Sequence, residues 1–117
     1  FPGVAAGDAA GRSVAGLGDI NDDGNGDIAI GAKLADEGET DAGAAYIMLG
    51  PVSGSINLSL ADAILSGDAA GDRAGFSITS IEDQDGGGQA DLLIGATLND
   101  DSGSDAGAAY LIFTERW

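Results

Sequence analysis

The sequence predicts an all-β fold built from two copies of one antiparallel sheet, on three observations. Apolar residues alternate with period two: Ile28 and Ile30 share a face, as do Leu92 and Ile94; Ala45, Ile47 and Leu49 alternate with Ala44, Tyr46 and Met48. Each run is short and bounded by glycine, aspartate or asparagine, as strands closed by turns are. The pattern also recurs at a fixed distance. Asp19 answers to Asp83, Ser13-Val14 to Ser77-Ile78, Asp27-Ile28-Ala29-Ile30-Gly31-Ala32 to Asp91-Leu92-Leu93-Ile94-Gly95-Ala96, and Asp41-Ala42-Gly43-Ala44-Ala45-Tyr46 to Asp105-Ala106-Gly107-Ala108-Ala109-Tyr110, all in one register.

Strands are expected near 13–18, 27–33, 44–50 and 55–60 in the first unit, the last from the alternation of Ile56, Leu58 and Leu60 with Asn57 and Ser59. The second unit repeats them near 76–81, 91–97 and 107–113 and ends after its third strand. Gly7-Asp8-Ala9-Ala10-Gly11 matches Gly67-Asp68-Ala69-Ala70-Gly71 at a distance four residues shorter than the other blocks, so the second leading loop is expected to be longer. The chain divides into repeat one, about 7–66, and repeat two, about 67–117, within a single tandem-repeat domain. Glycine falls inside strands at Gly16, Gly31, Gly75 and Gly95. That weakens a strand unless another backbone comes close; the other reading is turn-forming glycine with no packing role.

Composition narrows function. Twenty acidic residues stand against four basic ones, a formal charge of −16, which disfavours nucleic acid and anionic membranes and makes metal cations the natural counter-charge. Acidic surfaces are also common in secreted and salt-adapted proteins. There is neither cysteine nor histidine, which excludes disulfides, thiolate nucleophiles and the commonest transition-metal ligands. No apolar run has the length of a membrane span, and the first residues do not read as a signal peptide.

The chemistry sits in two loops. In 19–27, oxygen-bearing side chains occupy the first, third, fifth and ninth positions (Asp19, Asn21, Asp23, Asp27), Asn25 the seventh, and Gly24 the sixth, where the chain must turn. In 83–91 the same places hold Asp83, Asp85, Gly87, Asp91, Gln89 and Gly88. Calcium takes about six to eight hard oxygen ligands in flexible geometry, and carboxylates at every second residue of a tight loop converge on one point. An EF-hand is excluded, because its twelfth position would be Ile30, inside a strand. The second loop lacks a carboxylate at its fifth position and is expected to bind more weakly, with water in the gap. Either loop could instead be a set of Asx-turns without metal.

Gly11-Arg12-Ser13-Val14, the 19–27 loop, Ile28-Ala29-Ile30-Gly31-Ala32 and 43–50 together resemble the FG-GAP repeat, the blade unit of integrin α-subunit propellers and of many bacterial secreted proteins. The second unit matches through Ala74-Gly75-Phe76-Ser77-Ile78, 83–91, Leu93-Ile94-Gly95-Ala96 and 107–113. The chain departs from the family at Ala10-Gly11 and Ala74-Gly75, which replace phenylalanine-glycine, and at Lys33 and Thr97, which replace proline. The resemblance implies two four-stranded antiparallel propeller blades with Ca2+ in the loop joining the first two strands. It implies side-chain ligands from Asp19, Asn21, Asp23 and Asp27 with a main-chain carbonyl from Asn25, and in the second loop Asp83, Asp85, Gln89 and Asp91.

Two blades cannot close a ring. Residues 1–6 lie where the outermost strand of a preceding blade would be, and the second unit lacks that strand, so 1–6 of one chain are expected to complete the last blade of the next, giving a ring or a filament. An excised part of a longer propeller and two sheets packed face to face are the alternatives. The leading expectation is a non-enzymatic, extracellular calcium-stabilised module for adhesion or assembly. It would be a homo-oligomer or polymer that offers loops 33–43 and 97–107 to an extracellular protein or glycan, without nucleic acid or membrane insertion. A structural filament subunit with only self-contacts and a carboxylate-dependent glycan-active enzyme are the competing classes.

Four smaller signals complete the reading. Asp100-x-Ser102-x-Ser104 has the spacing of a metal-adhesion site but lacks the α/β fold such a site needs, and reads as a polar loop. Asn57-Leu58-Ser59 fits a glycosylation sequon. Arg12, Arg73 and Arg116 pair with neighbouring carboxylates or stand solvated. Trp117 is expected to seal an edge.

Overall fold

The computed structural model describes residues 1–114; Arg116 and Trp117, and the roles expected of them, lie outside the described residues. Among the described residues, seven strands form two antiparallel sheets. The first has the order β1-β2-β3-β4, from β1 (Ala10–Gly18), β2 (Asp27–Ala32), β3 (Ala44–Met48) and β4 (Ala63–Ser66). The second has the order β5-β6-β7, from β5 (Ala74–Ile81), β6 (Asp91–Ala96) and β7 (Ala108–Ile112). The all-β, two-blade expectation holds, with three strands in the second sheet among the described residues.

Alternation sorts the side chains between two apolar layers. Ala29, Ala45 and Ile47 of the first sheet pack with Ile78, Leu92 and Ile94 of the second, together with Leu17 and Ile20. The opposite face of the first sheet carries Ile30, Ala32, Ala44, Tyr46 and Met48, which cluster with Leu58. β3 is therefore buried on both faces over its whole length, although its sequence alternates.

Leu58 belongs to the segment that departs most from expectation. Residues 55–60 are not a strand: Leu58–Leu60 form one turn of 3-10 helix, and the fourth strand begins later, at Ala63. The Asn57 side chain accepts from the Ser59 N–H at 2.8 Å, and the Leu60 N–H donates to the Asn57 carbonyl at 3.0 Å. Asn and Ser between the apolar residues thus satisfy the backbone locally, which competes with sheet pairing. Leu58 is swallowed by the core while Leu60 stays 71 % exposed, so the apparent alternation has no common face.

Turn geometry also corrects the register before β1. The Leu34 N–H donates to the Asp8 carbonyl and the Leu98 N–H to the Asp72 carbonyl, at 3.1 and 3.2 Å. Ala9 and Arg73 both adopt left-handed backbone, φ 56° and 59°. Asp8 caps the Ala5 N–H as Asp72 caps the Ala69 N–H. Asp8 therefore corresponds to Asp72 in the same register as every other block, and the second leading loop is no longer than the first. The Gly-Asp-Ala-Ala-Gly match with 67–71 is a coincidence of composition. Residues 1–6 then correspond to 65–70, mostly the turn after β4. They form no strand here: the Pro2 carbonyl accepts from the Leu58 N–H and the Gly3 carbonyl from Asn57 Nδ2.

The strand glycines divide as the packing dictates. A Cβ on Gly31 would overlap the Gly75 carbonyl oxygen and Ser13 Oγ, and one on Gly75 the Ala44 carbonyl oxygen, so the two sheets touch backbone to backbone at these positions. Ser13 Oγ donates across the seam to the Gly75 carbonyl at 2.8 Å. Gly16 has open space around it. Removing that hydrogen bond by Ser13→Ala is expected to lower stability by about 1 kcal/mol, read from the urea midpoint at unchanged m-value. Near the seam, the Arg12 guanidinium and the Lys33 ammonium lie 4.6 and 5.4 Å from the centre of the Phe76 ring, so Arg12 faces an aromatic face.

Candidate metal centre

Both acidic loops join the first strand of a sheet to the second, at the same end of the two sheets. They are built by the same local rule: carboxylates accept the backbone N–H groups of the turn that carries them. Asp19 accepts from the Asp23 and Gly24 N–H groups at 3.0 and 2.7 Å, and Asp23 from the Asn25 N–H at 2.8 Å. Asp83 accepts from Asp85, Gly86 and Gly88 at 3.1, 2.6 and 2.8 Å, and Asp85 from Gly87 at 2.9 Å. The loops are thus Asx-turns, and the turns aim the carboxylates. Asp23 Oδ1 and Asp83 Oδ1 each accept two bonds, but every one of these carboxylates keeps an oxygen with a free lone pair, so this bonding and metal coordination are compatible.

The ninth-position aspartates do something further. Asp27 and Asp91 are almost fully buried, each 1 % exposed. Asp27 accepts from the Ile20 N–H at 2.8 Å with one oxygen and from the Gly50 N–H at 2.7 Å with the other. Asp91 accepts from Gln84 at 2.7 Å and Thr114 at 3.2 Å. Each latches the start of its loop to the chain leaving the third strand. Sequence reasoning assigned these residues to metal only and missed Gly50 and Thr114, although the two occupy matching positions. Gly50 is pressed against the Gly26 carbonyl oxygen, 2.6 Å from where a Cβ would lie, whereas Thr114 donates its hydroxyl to the Ala90 carbonyl at 2.7 Å. Different residues solve one contact, which hid it from the alignment.

In the second loop, one oxygen from each of Asp83, Asp85 and Asp91 lies within 4.8 Å of the others, the one such group of three acidic side chains among the described residues. Three acceptor-only groups held this close repel one another unless a cation is shared, and they are hard oxygen donors of the kind calcium takes, to be joined by main-chain or water oxygens to reach about six to eight. In the first loop the third position is an amide: Asn21 Nδ2 donates to Asp23 at 3.1 Å, and Asn25 Nδ2 adds a bond at 2.9 Å. Gln89 was expected among the metal residues of the second loop. Its side chain spans the two loops, donating from Nε2 to Asp22 at 2.8 Å, while its buried Oε1 accepts no hydrogen bond.

The N–H donors hold two carboxylates below the ordinary range. Asp23 is lowered first by the Asn25 backbone N–H and then by the Asn25 and Asn21 side chains; Asp83 is lowered first by the Gly88 N–H and then by that of Gly86. A depressed aspartate contributes stability that is present above its unfolded value of 3.8 and is lost as pH falls through its lower folded value. Without metal, the urea midpoint is therefore expected to fall from about pH 4 downward, and to fall less in Asp83→Asn than in the parent.

Asp100 lies elsewhere, in the β6–β7 connection, where it caps the Asp105 N–H at 2.6 Å as Asp36 caps Asp41 at 2.8 Å. Ser102 and Ser104 flank an ordinary turn in this connection. These two connections lie at the end of the sheets opposite the acidic loops.

Antiparallel blades with acidic loops between their first two strands define an FG-GAP repeat protein, and the FG-GAP repeat model matches residues 10–48. The chain is integrin α-like: it is 36% identical over 88 residues to integrin alpha pat-2 of Caenorhabditis elegans, a match covering 74% of this chain and 7% of that protein. The chain thus spans a small part of the curated relative that it matches. No helix among the described residues is long and apolar enough to cross a membrane.

Proposed function

We propose that the chain is a calcium-stabilised, non-enzymatic part of an integrin-α-like β-propeller that works outside the cell or at its surface in adhesion or assembly. The observation that carries this reading is the duplicated loop, with Asp83, Asp85 and Asp91 gathered at one point and Asp19, Asn21, Asp23 and Asp27 in matching positions. Asn25 and Gln89 supply main-chain oxygens. Bound calcium neutralises each cluster and fixes the loop against the buried latch aspartate.

Assembly follows from the repeat. Leu93, Ala109 and Leu111 hold in the second sheet the positions by which Ala29, Ala45 and Ile47 receive a neighbouring sheet. Gly95 matches Gly31, but among the described residues the three atoms nearest a Cβ there all belong to Ser77 of its own sheet. A further blade, from the same polypeptide or head-to-tail from another copy, fits that face and completes a ring or filament. The connections 33–43 and 97–107 then line one rim and offer contacts to a protein or glycan.

Thermal unfolding in millimolar calcium, magnesium or chelator tests this reading. Calcium is expected to raise Tm with a logarithmic dependence on its concentration, magnesium less, and Asp83→Asn/Asp85→Asn to lower the gain. Equal Tm in calcium and chelator would overturn it.

A further inference from the structure

One side chain joins the two acidic loops. Gln89, at the seventh position of the second loop, donates from Nε2 to Asp22 Oδ2 in the first at 2.8 Å, and this is the one hydrogen bond of the Asp22 side chain among the described residues. Gln89 Oε1 is buried, so the amide presents its NH2 to a carboxylate that can only accept. The repeat shows why the bridge starts from this loop. Asn25 holds the seventh position of the first loop, and its amide turns back to the fifth, Nδ2 donating to Asp23 Oδ1 at 2.9 Å. In the second loop the fifth position is Gly87, which has no side-chain acceptor, and the seventh side chain is longer by one methylene. The amide is released from its own loop and reaches the neighbouring one. Its acceptor occupies an unusual place. Asp22 lies in the left-handed region at φ 59°, and its counterpart there is Gly86 at φ 88°. Glycine is the unstrained choice at such a position; aspartate tolerates it and adds the carboxylate that Gln89 meets.

We infer that Gln89 couples the two loops, so that calcium in the first strengthens calcium binding in the second. The inference rests on the calcium reading and adds a dependence between its two sites. Asp22 stands between Asn21 and Asp23, two of the ligands proposed for the first loop, so filling that loop fixes the backbone that carries the Asp22 carboxylate. The carboxylate then holds the side chain of Gln89, whose main-chain carbonyl is the seventh-position ligand proposed for the second loop. The second loop therefore has less freedom left to lose when calcium binds, which is positive coupling, and by linkage the effect is mutual. The bridge offsets part of what the second loop lacks at Gly87.

Calorimetric titration of calcium into four forms of the whole chain tests the coupling: the parent and the Asp19→Ala/Asp23→Ala variant, each with Gln89 and with Gln89→Ala. Gln89→Ala keeps the main-chain carbonyl and with it the ligand set proposed for the second loop. With Gln89 present, disabling the first loop is expected to weaken the second about fivefold; with Gln89→Ala the two second-loop affinities are expected to agree. The charges lost with Asp19 and Asp23 are the same in both backgrounds, so comparing the two ratios isolates the bridge. A Gln89 that only packed would alter Tm and leave the ratio unchanged. Gln89→Glu keeps the length but turns a second carboxylate towards Asp22, and is expected to lose the coupling too. Equal weakening in the Gln89 and Gln89→Ala backgrounds, no weakening in either, or coupling retained in Gln89→Glu would overturn the inference while leaving two calcium sites in place. Absence of saturable calcium heat in the parent would overturn the calcium reading and this inference with it.

Discussion

Gly31→Ala is expected to lower stability by about 3 kcal/mol or more, because its Cβ must occupy space held by the Gly75 carbonyl and Ser13 Oγ. Neither neighbour yields easily. The Gly75 carbonyl belongs to β5, whose own backbone is pressed on the Ala44 carbonyl, and Ser13 Oγ is the donor that bridges the seam. Relief therefore requires the sheets to separate, which exposes the layer of Ala29, Ile47, Ile78, Leu92 and Ile94. Gly16→Ala is the matched control, since its Cβ meets nothing within 4 Å. Urea unfolding of both variants checks the pair: a large shift for position 31 and a small one for position 16. A well-tolerated Gly31→Ala would mean that the sheets are not in backbone contact.

The second large effect is expected from the buried latch. Asp27→Ala leaves the Ile20 and Gly50 N–H groups without an acceptor, one of them fully enclosed, and removes two charge-assisted hydrogen bonds; a loss of about 3 kcal/mol follows. Asp27→Asn keeps the shape but turns an amide NH2 towards one donor, so it is expected to lose more than half as much. The measurement belongs in chelator, where a residue that served metal alone would be silent. Asp91→Ala is expected to behave alike through Gln84 and Thr114. An unchanged urea midpoint for Asp27→Ala in chelator would remove the latch from the account.

The sequence made the strands legible wherever both partners of the repeat agreed. Ile28, Ile30, Leu92 and Ile94 alternate, their counterparts match, and β2 and β6 stand within a residue of their expected limits. The single-copy segment 55–60 had no counterpart to check it, and three alternating apolar residues could not reveal that Asn57 would cap a helical turn. The short Gly-Asp-Ala-Ala-Gly match misled for a related reason. In a chain this rich in glycine, alanine and aspartate, five residues recur by composition, and only the paired turn hydrogen bonds of Asp8 and Asp72 fix the register.

The site was legible as spacing and less so as geometry. Alternate aspartates around a glycine announce a hard-cation loop in sequence, yet nothing there says that Asp27 and Asp91 are buried. Nor does it say that they are shared between their loop and the exit of the third strand. Gly50 and Thr114 went unseen because one meets its neighbour by lacking a side chain and the other by donating a hydroxyl. Gln89 was placed by its position in the loop, whereas its link to Asp22 depends on the stacking of two blades.

Calorimetric titration of calcium into the parent chain, an Asp19→Ala/Asp23→Ala variant and an Asp83→Ala/Asp85→Ala variant tests the central claim most directly. Two saturable sites are predicted for the parent and one for each variant, the tighter being lost with Asp19 and Asp23, because that loop offers four side-chain oxygen positions against three. No saturable calcium heat in the parent, or two sites surviving in either variant, would contradict the assignment of calcium to these loops.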